Sequence, residues 1–563
     1  MSKLSTFRLT TRGGGLAPAI ASLWLAAAAF ANAASGPQTL VDLIRAGNRE
    51  AVLAAITSPD IDVNAADPDG STPLLWATYK VDHELVGALL KKGAKADIAN
   101  HYGSSPLIEA VKLSDVELVR MLLDAGAKPN SANQDNQTAL MLASSIGSPQ
   151  IAEMLIKRGA KVNAVESFRG QTALMWAAAE SHPDVVDLLL KHGADVKVRA
   201  KYDDWPREMT SEPRAQFRQT GGLTALLYAT RSGCYRCAVA IVKAGADVNQ
   251  PNPDGITPLI NAIDNRSYDI AMFLLDKGAN PGIWDMSGRT PLYVAVDMNS
   301  YSGPNGAGNG NFAGFGEPLP VRPPTKATAM DLVNRLLAMG VDPNHELTRM
   351  RPNGNGRGRF ADYMMRGGTG PLMVATLSYD DVAIRALLAH GAEVDVPNVF
   401  KITPLMAAAG MSGSSRGGIG SAITGGAGHK PVDIQTRAIE TLDLLLNAGA
   451  NINAQVTNSH SHTAKLVAYI QGRDHEGQTA IFSAAEAGWD KVVKHLLDRG
   501  AEANLRDAAG KLALDYARHP PPAGPGPPAH AGPEAAASRA ATVALLEAQL
   551  PKPVVATDTA LAK

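Results

Sequence analysis

A tripeptide that usually begins with Thr and ends with Leu recurs along most of this 563-residue chain. The commonest distance between copies is 33 residues, as from Thr72 to Ser105. The copies begin at Thr72, Ser105, Thr138, Thr172, Thr224, Thr257, Thr290, Gly370, Thr403, Thr479 and, in degenerate form, Leu512. A Gly-Ala pair often follows 21 residues later, as at Gly93 after Thr72. Two anchors held in register through many copies predict a repeat array rather than several unrelated domains.

Each repeated residue type has a local physical role. A Thr hydroxyl caps the start of a helix, and Pro suits the first helical turn because no backbone donor is needed there. Apolar residues at helical spacing, as in Val185 to Leu190, predict a second helix that Gly193 ends in the left-handed conformation. Asn252 to Gly255 has the composition of a tight turn. One such unit cannot cover its apolar face, whereas stacked units can.

These anchors resemble the ankyrin repeat over nearly the whole chain. The resemblance implies an all-α fold: an ankyrin-repeat solenoid of about twelve helix-turn-helix units with short β-turn fingers and several long loop insertions. It also implies that function lies in binding a protein partner. Low aromatic content, 5% of residues, agrees with close packing of small aliphatic side chains.

The predicted divisions follow the repeat register. They are a signal peptide at 1–33, an N-terminal capping repeat at 38–66, the array at 67–506, a C-terminal capping repeat with a Pro-rich insertion at 507–550, and a disordered tail at 551–563. Insertions are expected near 200–221, 299–330, 345–368, 411–434 and 457–475.

The N-terminal segment has the composition of a secretory signal. Lys3, Arg8 and Arg12 precede an apolar stretch from Leu16 to Phe30, and Ala31 to Ala33 places small residues at a cleavage site. The apolar stretch is shorter than the roughly 20 residues of a membrane span, although an uncleaved N-terminal anchor is the alternative. We therefore expect an exported protein, periplasmic in a bacterium or fully secreted, with no integral membrane segment after cleavage.

Register also predicts which side chains contact a partner. In proteins that this chain resembles, the residue four after the Thr anchor points from the first helix toward the concave face. That row reads Trp76, Glu109, Leu142, Trp176, Tyr228 and Asn261, with Tyr79 and Arg231 one turn further on. Tyr102, Phe168, Trp284 and Phe400 occupy finger positions. Aromatic and Arg residues are the usual anchors of interfaces, although rings can also fill gaps between helices.

Three insertions fall at finger positions and are rich in aromatic and charged residues. They contain Trp205, Arg207 and Phe217; Arg357, Arg359, Phe360 and Tyr363; and His460, His462 and Tyr469. Loops tolerate insertion at low cost, so the Gly-rich insertions at 303–316 and 413–428 carry less information. For the three fingers we favour binding.

Motifs for chemistry are few. The only two cysteines, Cys234 and Cys237, suit a local disulfide or a structural role better than redox catalysis, since no thioredoxin-like strand context is present. His460 and His462, with His475 nearby, are weak evidence for a metal site. No phosphate loop or nucleophile elbow lies in a usable context, so we predict no catalytic residue, no metal and no cofactor.

Overall charge narrows the class of partner. The 53 basic and 54 acidic residues give a net charge of -1, which offers no bulk field for nucleic acid. The leading hypothesis is a monomeric, non-catalytic, exported scaffold for protein–protein interaction. Alternatives are a periplasmic thiol or redox accessory protein that uses the cysteine pair, or an accessory subunit of an exported enzyme.

Overall fold

The computed structural model describes the chain in seven segments. They are residues 39–202, 221–302, 325–348, 367–411, 434–457, 475–520 and 533–551. The described residues form 24 α-helices and no β-sheet, with isolated β-bridges Arg199–Thr224, Tyr202–Gly221 and Arg506–Leu512. The fold is therefore an all-α helical repeat array. The signal peptide, the five insertions, the Pro-rich segment and the tail are predictions that lie wholly or mainly outside the described residues.

The array divides into two compact units. The first comprises the described residues up to Gln134 together with Lys157–Gly159, and the second comprises the described remainder. The helices of the first unit are α1 Leu40–Arg45, α2 Arg49–Ala55, α3 Pro73–Tyr79, α4 His83–Lys91, α5 Pro106–Lys112 and α6 Val116–Asp124.

The second unit holds the remaining helices. Its first half contains α7 Ala139–Ile146, α8 Pro149–Lys157 (Lys157 itself excepted), α9 Ala173–Ala179, α10 Pro183–Lys191, α11 Ala225–Ser232, α12 Tyr235–Lys243, α13 Pro258–Asp264 and α14 Tyr268–Asp276. Its second half contains α15 Pro291–Ser302, α16 Ala329–Ala338, α17 Pro371–Leu377, α18 Asp381–Ala389, α19 Pro404–Ala408, α20 Ile434–Asn447, α21 Ala480–Ala487, α22 Asp490–Asp498, α23 Ala513–Arg518 and α24 Pro533–Gln549.

The first helix of most repeats starts at the predicted hydroxyl cap. Thr72 Oγ1 accepts a hydrogen bond from the Leu75 amide at 3.2 Å. The same bond forms at Ser105, Thr138, Thr172, Thr224, Thr257, Thr290 and Thr403. Thr479 forms no such bond, and at the degenerate Leu512 the Asp515 carboxylate accepts from the Leu512 amide instead. In these eight repeats a single oxygen three residues before an amide thus caps the start of the first helix.

The second helices begin and end by equally local means. Asp82 and Asp115 cap α4 and α6 by accepting from the amides of Leu85 and Leu118 at 3.0 and 2.9 Å. At the end of α10, Gly193 takes a φ of +81°, which favours glycine, as the sequence predicts. The chain can then turn sharply into the next finger.

Fingers are compact turns joined to their neighbours. Asn252 Oδ1 accepts from the amides of Asp254 and Ile256 at 3.0 and 2.9 Å, and the Gly255 amide donates to the Asn252 carbonyl. The next finger attaches through one backbone bond, from the Met286 amide to the Asp254 carbonyl at 2.9 Å. This bond fixes the spacing of successive fingers.

A second inter-repeat contact uses the asparagine that precedes each finger. Asn163 Nδ2 donates to the Gly193 carbonyl at 2.9 Å, and its Oδ1 accepts from the Asp195 amide at 2.8 Å. Equivalent pairs of bonds form at Asn64, Asn249, Asn344 and Asn453. One side-chain amide therefore satisfies both a carbonyl and an N–H at the helix end of the following repeat.

The core lies between stacked helices of small residues. Within the second unit, α9 packs against α7 and α11, and α10 packs against α12. Ala177 and Ala178 are fully buried in that stack, as are Val186 and Leu189 of α10. Small side chains let neighbouring helices approach closely, so that no single repeat carries a core of its own.

Candidate functional site

An aromatic and cationic cluster forms on the first unit. The rings of Trp76 and Tyr79, one turn apart on α3, meet edge to face with centroids 5.8 Å apart. The guanidinium of Arg45, the last residue of α1, lies 5.1 Å from the centre of the Trp76 ring. Tyr79 is 57% exposed and Trp76 is half-buried, so the cluster presents ring surface to solvent. We call Arg45, Trp76 and Tyr79 the helix-face cluster.

The finger beside α3 holds the tryptophan in place. Trp76 Nε1–H donates to Asp67 Oδ2 at 3.1 Å, while Asp67 Oδ1 accepts from the amides of Asp69 and Ser71. One carboxylate thus fixes both the finger turn and the ring. Because the ring is already oriented before a partner arrives, less entropy is lost on binding.

Polar groups border this cluster along the predicted row. Glu109 on α5 accepts from Lys112 Nζ at 2.9 Å and from the Ser104 hydroxyl. Tyr102, at the tip of the same finger, is exposed. An aromatic centre with a hydrated polar border is the usual arrangement of a protein interface.

In the second unit the row is more deeply packed. Tyr228 is only 6% exposed, and its hydroxyl accepts from Gln171 Nε2 at 2.6 Å. The exposed guanidinium of Arg231 lies 4.9 Å from the Tyr228 ring centre. The expectation that the Tyr228 ring itself offers contact surface is therefore corrected, because almost none of the residue reaches solvent. Tyr228 instead supports Arg231.

Two other members of that row also serve packing. Asn261 Nδ2 donates to the Leu227 carbonyl at 2.8 Å and to Thr230 Oγ1 at 2.7 Å, which joins α13 to α11. Leu142 is half-buried. Trp176 is half-buried as well, and its Nε1–H has no hydrogen-bond partner among the described residues. Trp176 is thus the row position of this unit that retains an unused donor.

The remaining predicted finger residues are placed separately. Trp284 is exposed and lies over His345, with ring centroids 5.0 Å apart. Phe400 is half-buried at the tip of another finger, where its amide donates to Asn398 Oδ1. No contact joins these two aromatic side chains to each other in the described residues.

A buried ionic group lies beneath the Trp284 finger. Arg289 Nε donates to Asp285 Oδ2 at 2.7 Å, and its Nη1 donates to Asp264 Oδ1 at 2.9 Å. The Arg289 side chain is 6% exposed and that of Asp285 is 2% exposed. Burial lowers the pKa of Arg289, but the two carboxylates outweigh it and raise that pKa above its ordinary value. The group ties the finger to the end of α13.

The cysteine pair forms a disulfide at the start of α12. Its Cα atoms lie 5.2 Å apart, and Cys234 Sγ accepts from the Cys237 amide at 3.3 Å, where Asp82 and Asp115 supply oxygen caps in other repeats. Both cysteines are buried. A partner thiolate has little access to such a bond, which favours a structural role over thiol exchange.

Hydrogen bonds to Asp115 lower the pKa of this helix cap. Asp115 Oδ2 lies 2.9 Å from His83 Nε2. Burial raises the pKa of Asp115, but the Leu118 amide and His83 outweigh it, so that the pKa is lowered from its ordinary value. The charged carboxylate is therefore part of the folded first unit.

The described residues contain neither a cluster of metal ligands nor a membrane-spanning helix. In those residues no group of three His, Cys, Asp or Glu side chains is arranged to hold a metal ion. His475 is buried and its Nδ1 lies 2.7 Å from Gln478 Oε1, while His460 and His462 lie outside the described segments. Among the helices described, none is long and apolar enough to cross a membrane. The aromatic and charged residues of the three finger insertions likewise lie outside those segments.

Sequence reasoning missed Arg45 and Gln171. Arg45 ends a helix whose cap, Thr39, does not begin the repeated tripeptide, so the repeat register assigns Arg45 no position. Gln171 precedes its anchor directly and lies 57 residues from its partner Tyr228. Only the stacking of repeats brings such residues to the row.

Comparison with known proteins agrees with this architecture. Residues 40–133, 125–200 and 226–303 match the family described as ankyrin repeats in three copies, and residues 476–508 match the single ankyrin repeat. A stretch of 91 residues is 38% identical to "Zygote-specific protein 3" of Chlamydomonas reinhardtii. That match covers 16% of this chain and 24% of the algal protein, so the chain spans about a quarter of that relative's length.

These matches indicate a general role for the matched segments. Ankyrin-repeat proteins generally act by binding other proteins and are generally non-catalytic. The helix-face cluster and the ordered fingers are surfaces of the kind such binding uses. Residues 40–200, 226–303 and 476–508 of this chain are therefore ankyrin repeats, as the four matched segments identify.

Proposed function

We propose that this protein is an exported, monomeric, non-catalytic scaffold that binds a protein partner through its first-helix face and its fingers. The observation that carries the proposal is the helix-face cluster: Trp76 is held by Asp67 while Tyr79 remains 57% exposed. Aromatic and Arg side chains that are fixed in place dominate the energetics of interfaces. Nucleic acid is not the proposed partner, since the net charge of -1 supplies no attraction.

Export is proposed from the N-terminal sequence. The basic leader, the apolar stretch from Leu16 to Phe30 and the small residues at Ala31 to Ala33 support it. The disulfide between the only two cysteines adds support, because disulfides persist in oxidising compartments outside the cytosol. The exported protein is expected in a bacterial periplasm or outside the cell.

Export is tested by fractionating cells that make the full chain. The N-terminus of the protein in each fraction is then determined by mass spectrometry. An extracytoplasmic protein that begins just after Ala33 supports the proposal. A cytosolic protein that retains residues 1–33 contradicts it.

The binding role is tested by partner capture followed by reconstitution. The full exported chain is used to retain proteins from the compartment in which it is found, and each retained protein is purified and titrated by calorimetry. The variant W76A/Y79A removes the rings of the helix-face cluster. Y235A removes an exposed ring at the start of a second helix and serves as the matched control.

The expected result is a selective loss of affinity. Interface anchors cost about 2 kcal/mol or more on truncation, so the dissociation constant of W76A/Y79A should rise about 30-fold or more while that of Y235A stays near wild type. If W76A/Y79A binds every purified partner like the wild type, the first-helix face of this unit is not the binding surface. W176A/R231A then tests the second unit in the same way.

A further inference from the structure

One extended segment of the second unit carries basic side chains on its exposed side. Lys197, Arg199 and Lys201 are exposed, whereas Val196 and Ala200 are buried and Val198 is half-buried. Lys197 lies in a turn, and Arg199 and Lys201 follow it on either side of Ala200 in an extended stretch, whose two-residue period places these two cations on one side. The segment leads into the finger that is closed by the bridges Arg199–Thr224 and Tyr202–Gly221.

A fourth cation joins this row from the preceding finger. The Lys201 amide donates to the Arg169 carbonyl at 2.7 Å, so Arg169 lies beside the end of the segment. We call Arg169, Lys197, Arg199 and Lys201 the basic strip. No salt bridge joins any of the four to another described residue, in contrast to the nearby Arg236, which pairs with Asp184.

The described carboxylates of this neighbourhood form no ion pair with the basic strip. Glu166 is buried, and its oxygens accept from the amides of Phe168, Arg169 and Gln171 at 2.6 to 3.0 Å. Asp195 is exposed and its Oδ1 accepts from the Lys197 amide at 2.9 Å, while Asp203 and Asp204 lie outside the described residues. Two of the cations bond to backbone carbonyls, Arg199 to that of Pro251 and Lys201 to that of Ser167, and these acceptors carry no net charge.

Exposed aromatic rings lie at the same fingertips. Phe168 is 70% exposed and Tyr202 is 61% exposed, and the Arg169 guanidinium lies 5.5 Å from the Phe168 ring centre. Aromatic side chains beside Arg and Lys are a common composition of protein-binding surfaces. The rings therefore add an independent signal to the charge.

The charge is a property of this repeat and not of the fold. Asp195 and Lys197 lie two and four residues after Gly193. The equivalent positions after Gly391 are Glu393 and Asp395, so an acidic residue stands where this repeat has Lys197. The fold thus tolerates either sign here, and nothing in packing requires cations.

We propose that the basic strip, with Phe168 and Tyr202, binds an extended acidic segment of a partner protein that carries apolar side chains among its carboxylates. This assignment rests on the protein-binding role proposed above. The four cations of these two fingers attract the carboxylates of such a segment, while the rings accept its apolar residues. The chain has no net positive charge to favour nucleic acid.

The test uses a defined probe and the full chain. A fluorescein-labelled peptide with two copies of the sequence Glu-Glu-Tyr-Glu-Glu-Leu is titrated by fluorescence anisotropy, and the same peptide with Gln for every Glu is the neutral control. Binding is measured at about 50 mM and about 500 mM salt, since screening of exposed charges separates these conditions. The acidic peptide should bind about tenfold tighter than the neutral one at low salt and lose most of that advantage at high salt.

Variants assign the binding to the strip. R169E/K197E reverses two cations whose side-chain heads form no described hydrogen bond, and it should weaken acidic-peptide binding about tenfold or more. K191E/K243E makes the same change in charge at exposed helix ends of the same unit and should bind like wild type. F168A/Y202A should weaken both peptides.

Several outcomes overturn the assignment. Equal affinities of R169E/K197E and K191E/K243E would show that any attraction is nonspecific. Tighter binding of a duplex DNA oligonucleotide than of the acidic peptide, with loss in R169E/K197E, would assign the strip to nucleic acid. Salt-sensitive self-association in sedimentation, abolished by R169E/K197E, would assign it to a second copy of the chain. Because W76A/Y79A leaves the strip intact, its effect on a captured partner separates failure of the strip from failure of the proposed function.

Discussion

Replacing Arg289 by methionine should be among the most destabilising single changes in the second unit. Met has a similar length and no charge, so it fills the space but leaves two carboxylates without their partner. Asp285 is 2% exposed and Asp264 is partly buried. Asp285 keeps its bonds from the amides of Ser287 and residue 289, while Asp264 loses the guanidinium altogether.

The magnitude follows from burial. Removing one partner of a buried ion pair costs about 3–5 kcal/mol, because an uncompensated charge stays out of water. Arg236 forms an exposed ion pair with Asp184 at 2.9 Å. Exposed ion pairs contribute only about 0.2–1 kcal/mol to the free energy of unfolding. R236M is therefore a matched control that removes an arginine pair of similar geometry and different burial.

The assay is urea unfolding followed by circular dichroism, with hydrogen exchange to locate the change. R289M should lower the free energy of unfolding by about 3–5 kcal/mol and R236M by less than about 1 kcal/mol. Amides of the Trp284 finger and of α15 should lose protection in R289M only. Local loss is expected because each repeat contacts only its neighbours.

Equal destabilisation by R289M and R236M would refute this account of the buried group.

Three further changes test local features. Asn163→Ala should lower the free energy of unfolding by about 1–2 kcal/mol, because the hydrogen bonds to Gly193 and residue 195 are both lost. Asn163→Asp should lower it as much at pH 7 but less below about pH 4, where the protonated acid can donate again, and unfolding measured as a function of pH will show this. Cys234→Ser/Cys237→Ala should cost about 2 kcal/mol, the entropy of a short closed loop, and a reductant should lower the melting temperature of wild type only. The pKa of Asp115 is lowered in the folded protein, so the stability that its charge contributes is present above its unfolded-state pKa near 4 and is lost as pH falls through its folded-state pKa. D115N should therefore make the stability of the first unit less dependent on pH in acid, as unfolding measured between about pH 2 and about pH 7 will show.

Helix boundaries can be predicted from the sequence because the interactions that set them join residues close together in the chain. The bond from the Leu75 amide to Thr72 joins residues three positions apart, and Gly193 adopts its positive φ directly after α10. The alternation of Lys197, Arg199 and Lys201 with smaller residues is also visible in the sequence. The repeat register nevertheless predicts contact residues on the first helices and at the fingers and does not include these three.

The contact row shows where such reasoning stops. Trp76 and Tyr228 occupy the same register, but Asp67 holds the first at a half-exposed position while Gln171 helps bury the second. Sequence register gives the direction of a side chain and not what covers it. The outcome depends on the partner of each ring, which lies nine residues from Trp76 and 57 residues from Tyr228.

By itself, then, the sequence determined the repeat, its helix caps and the all-α class, because each of these depends on residues a few positions apart. Tertiary structure alone decided which rings remain exposed, that Arg289 meets Asp264 from a residue 25 positions away, and that Arg169 lies beside Lys201. The physical reason is that stacking brings together side chains of neighbouring repeats, and burial and electrostatic compensation are properties of that packing.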